Sequence, residues 1–103
     1  MMEGIIDFLV SDHEIAKALR QRFIFKIAPM LNPDGVIHGN YRTNLAGLDL
    51  NRVWDAADKF LSPEIYELKK YITQYNEECP IMMFCYLHGH SARKSAFIYG
   101  CQK

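Results

Sequence analysis

The chain has 103 residues, half of them apolar, which fits one small globular domain or part of a larger one and excludes a disordered tail. Twelve basic residues balance twelve acidic ones, so charge gives no reason to expect nucleic acid or an anionic membrane as partner. No apolar run approaches bilayer-spanning length, and Met1-Met2-Glu3-Gly4 lacks the basic-then-apolar pattern of a signal peptide.

The first predicted element is a helix carrying Ile5, Ile6, Leu9 and Val10 as a stripe at helical spacing. It starts almost at residue 1 without a capping residue, as a helix continued from upstream would. Ser11 or Asp12 is placed to cap a second helix. On that helix Ile15, Ala16 and Leu19 face inward, while Lys17, Arg20 and Arg22 face water. Phe23 to Pro29 is β-branched and aromatic, and predicts a strand. Asn32-Pro33-Asp34-Gly35 predicts a turn. Residues 36 to 61 have weak periodicity and read as a long irregular loop of the kind that often carries function.

Ser62-Pro63-Glu64 has the order of an N-cap, a proline at the first helical position and an acid in the first turn. Ile65, Leu68, Ile72 and Tyr75 continue it as one helical stripe, and Pro80 ends the region. Ile81 to Leu87 is a nearly continuous apolar run, expected for a central strand covered on both faces. Ala96 to Tyr99 predicts a shorter strand. Helices alternating with buried strands indicate an α/β sheet, and ligands of such sheets sit beyond the carboxyl ends of the strands. His88 stands at that position.

The chemistry-bearing residues cluster in the loop and after the last long strand. Asn51-Arg52 sets an amide donor beside a planar guanidinium, a pair able to hold a carboxylate bidentately. A solvated surface arginine is the alternative. Arg42 is a second cation ten residues earlier, and read alone is equally an exposed loop charge. Trp54 reads as a packing anchor. His88 and His90, two apart, would share a face on an extended backbone. His13 and His38 read as solvated. No histidine is followed three residues later by glutamate, so metal ligation by this chain rests on His88, on His90, or on partners distant in sequence. Cys79, Cys85 and Cys101 are odd in number and not spaced as a zinc pattern. They read as reduced thiols of an intracellular protein, with a Cys85–Cys101 pair left open.

Four segments occur in one order: Pro29-Met30-Leu31-Asn32-Pro33-Asp34-Gly35-Val36, Gly39-Asn40-Tyr41-Arg42, Gly47-Leu48-Asp49-Leu50-Asn51-Arg52 and Leu87-His88-Gly89-His90-Ser91. Together with Gly4-Ile5-Ile6-Asp7-Phe8-Leu9 and Phe97-Ile98-Tyr99-Gly100 they resemble the cytosolic carboxypeptidases, M14 zinc metallocarboxypeptidases that shorten polyglutamate on tubulin tails. The resemblance spans nearly the whole chain. It implies the mixed-sheet α/β fold of that family with helices on both faces, incomplete at both ends. Residues 1–103 would then be a single partial domain, the central part of a catalytic domain.

By the same resemblance His88 is a Zn2+ ligand, with the other ligands expected upstream as a His-x-x-Glu motif. Arg42 stabilises the oxyanion at the scissile carbonyl, and Asn51 and Arg52 hold the terminal carboxylate. His90 is a pocket-wall or supporting neighbour of His88. The catalytic glutamate is expected downstream; lacking it and two zinc ligands, this chain alone is expected to be inactive, and with one or two histidines not to bind zinc tightly. Tyr86 departs from the family, which usually carries an acid two residues before the ligand histidine. The implied function is removal of C-terminal residues, with glutamate on acidic tails such as tubulin as the substrate. Two alternatives stay open: a non-catalytic relative that binds such tails, and an unrelated hydrolase using His88 and His90 as a metal pair.

Overall fold

The computed structural model describes residues 1–100. Helix α1 spans Met2–Val10 and α2 spans Glu14–Arg22. A short α3 covers Pro33–His38, a 3₁₀ turn covers Leu50–Arg52, and α4 covers Pro63–Glu78. The Cys85–Cys101 pairing considered from sequence lies outside the described residues; Cys79 and Cys85 are free thiols.

Helix α1 has no side-chain cap at its start, as its sequence indicates. Of its apolar stripe, Leu9 is buried. The α2 cap differs from expectation. His13 takes the N-cap, its Nδ1 accepting the Ile15 N–H at 3.2 Å, so it is not merely solvated. Ser11 instead closes the α1 end, its hydroxyl donating to the Phe8 carbonyl at 2.7 Å. Arg20 from α2 donates to the carbonyls of Leu9 and Ser11. A cation thus sits on the carbonyl end of α1, where its helix dipole favours positive charge. Ala16 is fully buried between the two helices, whereas Ile15, expected inward, is 59% exposed.

Asn32-Pro33-Asp34-Gly35, expected as a turn, begins α3. Asn32 is its N-cap, Pro33 fills the first turn, and Gly39 ends it in the left-handed conformation at φ 74°. The same residue types serve a turn and a helix start, and the Asn32 side chain decides between them by accepting the Gly35 N–H at 3.0 Å. His38 therefore ends a helix instead of lying in a loop. Helix α4 begins at Pro63 and buries Ile65, with Leu68, Ile72 and Tyr75 partly covered on the predicted stripe. Ser62 precedes it as expected but does not cap it. Its buried hydroxyl turns back, accepting the Asp58 N–H at 2.9 Å and donating to the Asp58 carbonyl at 3.2 Å.

The predicted sheet is not formed among the described residues. Residues 23–29, 81–87 and 96–99 form no ladder, and the isolated bridge is antiparallel, Thr43 to Asp49. Residues 81–87, expected to be covered on both faces, leave Met82 81%, Met83 73% and Phe84 55% exposed. A strand is held by its neighbours' N–H and C=O groups, and no neighbouring segment here offers them. The accessible surface is 8887 Å², against about 6,000 Å² for a folded monomer of this mass. The radius of gyration is 15.7 Å, against about 13 Å for a compact chain of this length. Helices and the central loop are organised; the strand-like segments lie open.

Candidate functional site

Residues 40–54 hold the site, and short-range polar contacts fold them. Asn44 is the pin. It is 4% exposed, and both ends of its amide are used. Nδ2 donates to the Leu61 carbonyl at 2.7 Å and Oδ1 accepts the Leu48 N–H at 3.0 Å. The Asn44 N–H donates to the Leu48 carbonyl, and the Gly47 N–H to the Asn44 carbonyl. Gly47, at φ 75°, supplies the left-handed residue that this tight reversal needs. The reversal places Thr43 opposite Asp49 as an antiparallel bridge. Asn32 adds a second tie, its Nδ2 donating to the Thr43 carbonyl at 3.1 Å.

This register sets Arg42 beside Asp49. Arg42 Nη1 lies 3.5 Å from Asp49 Oδ2, and the guanidinium also lies over the Tyr41 ring, 5.6 Å from its centroid. The other carboxylate oxygen, Asp49 Oδ1, accepts the Asn51 N–H at 3.0 Å and starts the 3₁₀ turn that carries Asn51 and Arg52. Leu50 anchors this turn in the interior. Arg52 is exposed and its Nη1 donates to the Asn51 backbone carbonyl at 3.2 Å. One carboxylate therefore organises three predicted site residues, Arg42, Asn51 and Arg52.

His88 joins this group through aromatic rings. Its imidazole is 5.6 Å from the Tyr86 ring, and Tyr86 meets Trp54 edge-on at 6.0 Å. Burial, and after it the negative charge of Asp49, raise the Tyr86 hydroxyl above its ordinary value, so it stands as a neutral phenol at pH 7. His88 Nδ1 donates to the Gly89 carbonyl. With Nδ1 turned to that carbonyl, Nε2 is the ring nitrogen left for a metal. His88 therefore fits as one ligand. Among the described residues no three His, Cys, Asp or Glu side chains converge to complete such a site.

His90 points into a different group. Its Nδ1 accepts the N–H groups of Ala92 and Arg93, at 3.2 and 2.9 Å, and its ring meets Phe97 edge-on. It shapes the turn of residues 90–93. Sequence reasoning missed Asn44 and the double role of Asp49. The Asp49-Leu50-Asn51 spacing did contain a signal, since an aspartate commonly accepts the N–H two residues on. The Asn44 contact with Leu61 left no such signal, because that partner is seventeen residues away.

The sequence profile described as Zinc carboxypeptidase matches residues 1–100. The chain is 48% identical to human cytosolic carboxypeptidase 4 over 103 residues, covering 98% of this chain and 9% of that protein. It is 45% identical to mouse cytosolic carboxypeptidase 3, covering 98% and 10%, and 47% identical to cytosolic carboxypeptidase 6 of Caenorhabditis elegans, covering 97% and 22%. It thus spans a minor part of the length of each of these relatives. No solved structure matches it. Among the described residues no helix is long and apolar enough to cross a membrane.

Proposed function

The chain belongs to the zinc carboxypeptidase family, and on that premise we propose that it serves as the central part of a catalytic domain removing C-terminal residues from acidic protein tails, with glutamate and tubulin tails as the substrate class. The observation that carries this reading is the Asp49 carboxylate, which assembles Arg42, Asn51 and Arg52 in one exposed loop. In this reading the open segments 23–29, 81–87 and 96–99 are strands of a mixed sheet in the complete domain. A cytoplasmic setting accords with the names of the relatives.

The division of labour follows from the groups present. Arg52 offers paired N–H donors to the free carboxylate of the substrate, and the Asn51 amide adds another. Charge-assisted bonds of this kind are worth about 1.5–3 kcal/mol each. Arg42 faces the same loop and stabilises negative charge developing on the scissile carbonyl oxygen. A bound zinc ion, with His88 among its ligands, would supply Lewis-acid polarisation of that carbonyl. A second reading, tail binding without hydrolysis, is favoured by Tyr86, a neutral phenol where the family usually carries an acid beside the ligand histidine.

Calorimetry with an acidic peptide bearing a free C-terminal carboxylate, and with its C-terminal amide, tests the clamp. The free acid is expected to bind at least about tenfold more tightly, and Arg52→Ala to remove the difference. Equal affinity for acid and amide would sink the proposal. Release of free glutamate by the chain within its complete domain separates hydrolysis from binding alone.

A further inference from the structure

We infer that Trp54 is a positioning residue that links the carboxylate clamp to the segment presenting His88, so that filling the clamp is felt at the histidine. The inference rests on the clamp reading of Asn51 and Arg52. Only Val53 separates Arg52 from Trp54, so the indole is tied to the clamp through the backbone of one turn. The indole meets Phe84 edge-on at 5.9 Å and Tyr86 at 6.0 Å, with interplanar angles of 71° and 76°. These two residues lie four and two positions before His88, and the Tyr86 ring in turn lies 5.6 Å from the His88 imidazole. Peptide bonds and ring contacts thus run without a gap from Arg52 to His88.

Among the described residues the buried apolar ones are Leu9, Ala16, Leu50 and Ile65, and none of the cluster's rings is among them. The indole is a contact between the turn that carries Arg52 and the segment that carries His88. The Trp54 backbone is itself fixed, its carbonyl accepting from Lys69 Nζ on α4. Beside it lies an open depression of about 310 Å³ lined by Trp54, Lys69, Ile72, Thr73 and Phe84. Catalysis between a carboxylate anchor and a metal ligand depends on their separation, and a displacement of about 1 Å costs on the order of a hundredfold in rate.

The test uses the imidazole proton–nitrogen NMR signals of the native chain, Trp54→Phe and Trp54→Leu. Each is titrated with an acidic peptide bearing a free C-terminal carboxylate and with its amide. His13, on α2, is the internal control. The free acid is expected to shift the His88 signals in the native chain and in Trp54→Phe, which keeps an aromatic edge. In Trp54→Leu the shift is expected to vanish, while calorimetry still shows the preference for acid over amide. Tyr86→Leu removes the same contact from the other side and decides the matter should Trp54→Leu not fold; it too is expected to abolish the shift. A His88 shift that survives in the folded leucine variants overturns the coupling and leaves the clamp standing. Equal binding of acid and amide by the native chain overturns the clamp, and the inference with it.

Discussion

Arg42 Nη1 and Asp49 Oδ2 stand 3.5 Å apart across the Thr43–Asp49 bridge, so the carboxylate that starts the Asn51–Arg52 turn also holds the second arginine of the site. The pair is open to water, with side-chain exposures of 53% and 21%. Exposed pairs contribute about 0–1 kcal/mol to stability. The value of this one lies in orientation.

Asp49→Ala follows from that distinction. Stability measured by urea unfolding is expected to fall by no more than about 1–2 kcal/mol, the pair plus one lost cap. Affinity for a free C-terminal carboxylate, measured by calorimetry, is expected to fall about tenfold, since Arg42 and the Asn51 turn are released together. Unchanged affinity would show that the clamp does not need Asp49.

Asn44 predicts the opposite balance. Asn44→Ala removes two part-buried hydrogen bonds, to the Leu48 N–H and the Leu61 carbonyl, each worth about 1–1.5 kcal/mol, and empties a buried position. Denaturant titration is expected to show a loss of about 2–4 kcal/mol, or loss of the fold. Asn44→Asp keeps the acceptor and forfeits the donor, so its loss should be smaller than that of the alanine variant.

Gly35 tolerates no side chain. A Cβ there would stand 2.2 Å from Asn32 Nδ2 and 2.8 Å from the Thr43 backbone oxygen. Gly35→Ala must therefore push Asn32 off Thr43, loosening the strand of chain that ends in Arg42. A loss of about 1–3 kcal/mol is expected by thermal or chemical melting. A neutral result would mean that the Asn32–Thr43 contact gives way without cost.

Asp58 sets the acid limit of the turn before α4. Its Oδ1 accepts the N–H groups of Leu61 and Phe60, at 2.8 and 2.7 Å, and these hold its carboxyl below the ordinary 3.8. A lowered folded value means that the stabilisation is complete above pH 3.8 and is lost as pH falls through the folded value. Amide exchange at Phe60 and Leu61 is expected to accelerate only in that acid range. In Asp58→Asn the pH dependence should disappear; acid opening of the turn in that variant would assign it to another group.

Zinc is expected to bind this chain more weakly than micromolar, because His88 supplies one ligand and micromolar affinity needs about 8 kcal/mol. Calorimetry giving a submicromolar 1:1 complex, abolished by His88→Ala, would reveal ligands that no cluster of the described residues provides.

How much was legible depends on the range of the interactions. The stripes of α1 and α4, the Pro63 start of α4 and the uncapped start of α1 rest on contacts within a few residues, which sequence spacing records directly. The family resemblance, carried by four ordered segments, named Arg42, Asn51, Arg52 and His88 without any geometry. Sequence misread Asn32-Pro33-Asp34-Gly35, because a helix start and a turn draw on the same residue types.

What only the tertiary structure decided are relations between residues far apart. Asn44 reaches Leu61, Asn32 reaches Thr43, and Trp54 reaches Phe84 and Tyr86. No periodicity encodes such pairs, since each is set by where the backbone brings two segments. The apolar run 81–87 shows the same limit: its composition specified strand character, but a ladder exists only where a neighbouring backbone supplies the matching donors and acceptors.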